Sequence, residues 1–380
     1  MSPPPADYDF EEEPSNMRLG IRSVHELRRA GANNRFSDEM DDLLSRIGKP
    51  TAAPSSMRRN ALCELARKLE RRGFAGQFRD HAARDKIVRN IGGETDIISG
   101  FSLAASLVIF LSSSPAPHLL RQMAADRVGK LLARLLKSQD DVEELVTLKT
   151  LNLARNTKTA LVEVEAQLLR MAIWQEQAPS ALTPRTLALQ LFYIISRDAD
   201  PGCLEEVSAD MHDDIASVAL TYAADESRVD VDYALIILAL EAQSNLMSLG
   251  GNQYTPAIAS FLHRTLRRWP SQRCSLDTVT LKLSINICNT ESGAAAFDET
   301  SLLSNLITSI SNGLSLVHAT VDNDGFENDM YEELLLILGI MINILEHCAH
   351  ARASVDSSSL DKLVRLWVDS SSVFSGVGNR

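Results

Sequence analysis

Aromatic residues make up only 5% of the 380 residues, no apolar run approaches a bilayer's thickness, and the five cysteines include no CxxC pair. Each scarcity excludes something. With so few rings, the 45% of hydrophobic residues must form a core of Leu, Ile, Val and Ala, a palette that favours packed helices over β-sandwiches. The longest apolar run, LLLILGIMINIL at 334–345, lies between Glu333 and Glu346. It falls short of the roughly 18–20 residues a membrane span needs, so it reads as a fully buried helix. Cys63, Cys203, Cys274, Cys288 and Cys348 are odd in number and scattered, which argues against a disulfide framework and for a reducing compartment, cytosol or nucleus. The opening stretch MSPPPADYDFEEEPSN lacks the layout of a signal peptide. Residues 1–19 read as a disordered acidic segment, and 373–380 as a disordered tail.

Catalytic motifs are also lacking. No GxSxG, HExxH or zinc-finger spacing occurs. IGKPT at 47–51 interrupts its Lys and Thr with Pro50, so it reads as a helix stop and not as a phosphate loop, and IGGETD at 91–96 is a glycine pair at a helix end. In TVDNDGFENDMYEE, placing Gly325 sixth in a calcium loop puts Thr320 first and Tyr331 twelfth, where a bidentate Glu is required. His347 and His350 with Cys348 between them lack a second ligand pair, so they read as structural. Asp41 and Asp42 are adjacent and diverge on a helix, so they cannot act as a dyad. The expectation is a chain that is not an enzyme and has no cofactor and no metal.

What is present is helix periodicity and uneven charge. Phe36, Met40, Leu43, Leu44 and Ile47 form one stripe of a 3.6-residue helix, with Ser37 predicted as N-cap and Gly48–Pro50 as the stop. Similar patterns predict helices over 22–30, 57–71, 74–91, 97–112, 118–137, 140–156, 158–177, 183–197, 204–222, 229–248, 255–268, 277–289, 299–317, 327–350 and 358–370. VIFLSSSPAPHL (108–119) and YIISRDADPGCL (193–204) share a helix end, a polar turn with Pro and a restart. INICNTESGAAAF (285–297) and INILEHCAHARAS (342–354) each set an Asn, Asn286 or Asn343, in an apolar helix, where it is expected to bond to the next repeat. The fold class is therefore all-α, an elongated array of degenerate HEAT- or armadillo-like helical repeats. Two lobes are expected, residues 20–200 and 201–372. The net charge is −12, yet residues 17–90 hold 17 Lys and Arg against 9 Asp and Glu. A globally acidic chain is a poor general nucleic-acid binder, but its basic region suits facing an acidic partner or coming near phosphate.

VHELRRAGANNRFSDEMDDLLSRI (24–47), NALCELARKLERRGFAGQFRDHAARDKIVRNI (60–91), AASLVIFLSSSPAPHLLRQMAADRVGKLLARLL (104–136), LKLSINICNTESGAAAF (281–297) and LLLILGIMINILEHCAHARAS (334–354) resemble, in order and spacing, the C-terminal domain of the wings-apart-like (WAPL) cohesin release factors. The resemblance implies a nuclear, chromatin-associated, non-enzymatic repeat protein. Its implied partners are cohesin subunits: SMC ATPase heads, the kleisin and the HEAT-repeat accessory subunits. Its implied action is to open the SMC–kleisin gate. It implies no sequence-specific nucleic acid, no membrane and a monomeric chain.

Positions fitting the family pattern include Gly31, Phe36, Asp41, Leu43, Leu44, Arg79 and His81. Phe36, Leu43 and Leu44 read as core. Asp41, Arg79 and His81 read either as partner contacts or as an internal network joining two repeats. Arg28, Arg29, Arg35, Arg58 and Arg59 extend the candidate partner surface. The chain has no Phe-Gly-Phe docking motif. The competing reading is a generic armadillo adaptor for extended peptides in transport or signalling; Trp174, Trp269 and Trp367 are too irregularly spaced for its usual ladder.

Overall fold

Apolar spacing of 3.6 residues becomes helix throughout the computed structural model, which describes residues 24–174, 178–246, 253–321, 328–355 and most of 357–368. No strand occurs among the described residues. The helices are α1 (Val24–Ile47), α2 (Ser56–Leu69), α3 (Arg72–Asp80), α4 (Ala83–Val88), α5 (Ile97–Ser113), α6 (Pro117–Ala125), α7 (Val128–Leu135), α8 (Val142–Thr147), α9 (Arg155–Leu169) and α10 (Pro184–Asp198). They continue as α11 (Pro201–Ala224), α12 (Val231–Ser244), α13 (Thr255–Arg268), α14 (Ser275–Cys288), α15 (Glu291–Ala294), α16 (Thr300–Val321), α17 (Asn328–His347) and α18 (Ala349–Ser354). One row stacks as α2, α5, α10, α12, α14 and α17, and a second as α7, α11, α13 and α16, each packing on the first. Each helix of the second row thus buries its stripe on a neighbour in its row and on one across it, as repeat arrays do.

Helix α5 is the most deeply buried element. Every residue from Ile98 to Leu111 is buried, and its serines persist there because Ser102 and Ser106 hydroxyls donate to the Ile98 and Ser102 carbonyls at 2.8 and 2.9 Å. The run at 334–345 departs from expectation. It lies in α17, where Leu335 is 49% and Ile342 58% exposed, so only one side of that helix is buried.

Several predicted boundaries shift. The helix over 22–30 and the one placed after Ser37 are a single α1, so Ser37 is not an N-cap; its hydroxyl sits 3.5 Å from His81 Nε2 instead. The predicted 74–91 helix is broken into α3, α4 and a 3-10 turn, and 118–137 is divided where Arg127 takes a left-handed φ of 64°. Gly48 does close α1, with φ 57° and its N–H on Leu44 O. Gly129 allows α7 to lie on α11, since a Cβ there would stand 2.5 Å from Val207 O.

The first helices are joined by two adjacent arginines that the sequence placed on the surface. Arg58 and Arg59 are 5% and 4% exposed. Arg58 Nε donates to Glu94 Oε2 at 2.7 Å, and its Nη1 to the carbonyls of Ile47 and Gly48 at the end of α1. Arg59 grips Asp96 through Nε at 2.8 Å and Nη2 at 2.5 Å, and reaches Leu151 O with Nη1. Burial works to raise the Asp96 carboxyl, but hydrogen bonds from Arg59 and Ser99 outweigh it and hold the group below its ordinary value. A buried charge left without its partner costs about 3–5 kcal/mol. Glu94→Ala is therefore expected to lower the unfolding free energy by about that much. Arg58→Leu combined with Glu94→Leu should lose far less, and urea denaturation of both variants checks this.

Candidate functional site

Helices α1 and α2 are held side by side by a ladder of partly exposed ion pairs. Asp42 pairs with Arg46 at 2.8 Å, Arg46 with Glu64 at 2.8 Å, Glu64 with Lys68 at 2.5 Å and Lys68 with Glu39 at 2.6 Å. Burial raises the Glu64 carboxyl, but its bonds to Arg46 and Lys68 prevail and leave it below its ordinary value. Burial likewise works to lower Lys68, and the two carboxylates reverse that. Each cation in the ladder has an acid, and each rung at this exposure contributes at most about 1 kcal/mol.

The compensation stops one turn further on. Arg35 lies four residues before Glu39 on α1, and Arg71 and Arg72 lie three and four residues beyond Lys68. The edge-on contact of the Phe36 and Phe74 rings, 5.1 Å between centroids, brings these segments together. Asn33 meets Gln77 and Ser37 meets His81, so α3 and the turn that follows it lie against α1. Arg72 and Arg79 are seven residues apart and share a face of α3. All four arginines are exposed, and none forms an ion pair with a described residue. Each of the four guanidiniums offers a planar fork of donors that suits carboxylates or other anions.

The sequence-derived candidates divide accordingly. Arg35 and Arg79 fall in this basic group. Asp41 is exposed on α1, six residues and therefore about 240° from Arg35, so it belongs to another face. His81 is half-buried, edge-on to Phe36 at 5.5 Å, with Nδ1 accepting from Ala83 N at 3.1 Å. It is a joint between α1 and the α3–α4 turn. Arg58 and Arg59 are internal for the reason already given, which corrects their placement on the partner surface. Arg28 and Arg29 fall in α1, but their side chains lie outside the described residues. Arg71 and Arg72 were missed; their signal was ERRG at 70–73, basic residues at the end of an amphipathic stretch.

Other polar features are structural. Asn286 is exposed rather than buried, donating to Ser244 Oγ at 3.1 Å and Asn245 Oδ1 at 3.0 Å on α12, while Asn343 donates to Cys288 Sγ. His350 is exposed, 3.2 Å from Asp298 Oδ1, and Cys348 is buried. The central residues of the acidic loop 320–333 and Trp367 lie outside the described residues. Trp174 and Trp269 are core residues whose indole N–H groups bond to Leu168 O and Glu333 Oε2. Among the described residues no group of three His, Cys, Asp or Glu side chains is placed to hold a metal ion, and no helix is long and apolar enough to cross a membrane.

Residues 20–351 match the protein family described as "Wings apart-like protein regulation of heterochromatin". No curated protein matches. Among solved structures, a designed armadillo repeat protein aligns at 8% identity over 80% of this chain and 99% of its own, with a TM-score of 0.42. An engineered protein aligns at 12% identity over 81% and 99%, with a TM-score of 0.41.

Replacing Lys68 by Glu would set three carboxylates together and is expected to cost about 1–2 kcal/mol, whereas Arg72→Glu should change stability by less than about 0.5 kcal/mol. Thermal melts of the two variants measure the difference. Because the folded Glu64 pKa is depressed, the stability it contributes is complete above about pH 4.3 and is lost as pH falls through the folded value. Glu64→Gln should flatten that part of an acid-denaturation curve.

Proposed function

Since the chain belongs to the wings-apart-like family, we propose that it is a non-enzymatic regulator that binds cohesin and promotes its release from chromatin, with the basic group of α1–α3 as its partner surface. The single observation that carries this reading is the unpaired set Arg35, Arg71, Arg72 and Arg79 at the end of a ladder in which each cation is matched. On a chain of net charge −12, such a set attracts an acidic protein surface while the remainder of the molecule repels it, which orients the encounter.

In this reading the acidic partner belongs to an SMC head, the kleisin or the HEAT-repeat accessory subunit. Gate opening follows from binding energy and not from bond chemistry. A rigid array that contacts one side of the SMC–kleisin junction more tightly in its open state than in its closed state shifts the gate toward open by that difference in affinity. The chain works in the nucleus, on chromatin, as a monomer.

The test is the triple variant Arg35→Glu, Arg71→Glu, Arg72→Glu, with Lys282→Glu, exposed on α14, as the control. The triple variant should keep its helical circular dichroism, bind purified cohesin subcomplexes at least tenfold more weakly (about 1.4 kcal/mol) and release less cohesin from chromatin. Wild-type binding should weaken with added salt. Unchanged binding and release in a folded triple variant would place the partner surface elsewhere.

A further inference from the structure

Helices α10, α12 and α14 follow one another in the first row, and a cavity of about 400 Å³ opens where their first turns meet. That volume lies within the range of sites that hold a ligand. The loop 178–181 and the turn 228–230 form its rim, and Ala234, Leu235 and Leu276 form its apolar wall.

Two acids line the cavity, and the fold treats them differently. Asp230, the N-cap of α12, accepts from Arg228 Nε at 2.8 Å, Tyr222 Oη at 2.9 Å and Tyr233 N at 3.0 Å. Its acceptor positions are largely filled. Asp232 is only 7% exposed, and while Arg228 pairs with Asp230, Asp232 forms no ion pair with a described residue. Its hydrogen-bond donor is the Thr186 hydroxyl. The Thr183 and Thr186 hydroxyls are 2.9 Å apart, so with the Thr186 proton directed at Asp232 it is Thr183 that donates between them. Burial holds the Asp232 carboxyl above its ordinary value. The Asp230 charge adds to that effect, and the Thr186 bond and the charges of Arg185 and Arg228 oppose it. A carboxylate has about four acceptor positions, so most of those on Asp232 remain open toward the cavity.

An ammonium fits that vacancy, since it brings three donors on a flexible apolar stem. With one oxygen already bonded to Thr186, a compact ammonium suits the carboxylate better than the two-pronged fork of a guanidinium. Val229 stands at the rim and is 68% exposed, an apolar contact for the chain that carries the ammonium and one that a free amine would leave unused.

We propose that this cavity receives a lysine side chain from a segment of a partner protein, with the ammonium on Asp232 and the methylenes along Leu235 and Leu276. The site is separate from the basic group on α1–α3 and takes a partner segment of the opposite charge, so either reading can fail without the other.

Titrations of the full chain, followed by NMR of its Val and Leu methyl groups, test the proposal. The probes are the peptide acetyl-Ala-Lys-Ala-amide and its norleucine counterpart, which keeps the stem and lacks the charge. The Val229, Leu235 and Leu276 signals should shift saturably with the lysine peptide, and the norleucine peptide should bind at least about tenfold more weakly. Asp232→Asn keeps an acceptor for Thr186, and Ser180→Trp sets a bulky ring at an exposed rim position. Each should keep its helical circular dichroism and weaken the lysine peptide by at least about tenfold. The absence of a saturable shift, equal binding of the two peptides, or a lysine titration that neither substitution alters would overturn the proposal. n-Butylammonium chloride, the ammonium and stem alone, should bind more weakly than the lysine peptide. Equal or tighter binding would assign the site to free amines and overturn the choice of a protein occupant.

Discussion

Two adjacent guanidiniums buried in α2 hold the first part of this molecule in register. Arg58 binds the end of α1 and Glu94; Arg59 binds Asp96, the N-cap of α5, and the carbonyl of Leu151 beyond α8. Neither charge can lose its acid without standing alone in a dry core, so the segments they join move together or not at all. Helix α1 packs only on α2, α3 and α4 among its principal neighbours, and its last two carbonyls are fixed by Arg58. The geometry of the exposed basic group therefore rests on a buried pair of the same residue type.

The later repeats use the same device with other residues. Glu333, 2% exposed, accepts from Trp269 Nε1 at 2.8 Å, Arg273 Nε at 2.7 Å and Thr278 Oγ1 at 2.9 Å, so one carboxylate joins α17 to the α13–α14 turn and to α14. Gly313 of α16 has no side chain because a Cβ would stand 2.5 Å from the Trp269 ring. Between the two anchors aliphatic burial predominates, each fully buried Leu or Ile contributing about 1.5–3 kcal/mol, with further polar links such as Arg185 Nε to Leu136 O and Tyr254 OH to His212 O. The aliphatic contacts stabilise without fixing rotation strongly, and the few fully bonded polar anchors supply that orientation.

How far the sequence could be read follows from the range of each interaction. Periodicity is local, so the existence of nearly every helix was legible, as was the stop at Gly48–Pro50. Capping preference is local too, but it misled at Ser37, because packing of Phe36 against Phe74 and Met40 against the core carries α1 straight through. The placement of Arg58 and Arg59 was not legible, since Glu94 and Asp96 lie 36 and 37 residues away and nothing in RRN at 58–60 announces them. The run at 334–345 looked fully buried because composition counts apolar residues and not the number of neighbouring helices. As the last member of its row, α17 has fewer faces to cover.

Of the chain's four Arg-Arg dipeptides, those at 58–59 and 71–72 show how differently the fold uses the same pair of residues. At 58–59 the side chains point into the stack, acids arrive from the α5 cap, and the charges are spent on holding the fold. At 71–72, at the junction of α2 and α3, no acid among the described residues pairs with either residue, and the charges face water. An uncompensated surface charge costs the fold little in high dielectric and, when an acidic surface approaches, its field is still available. A buried pair has no such reserve, because its attraction is already satisfied internally. The arginines without an acid among the described residues are the ones whose fields stay available to an approaching surface.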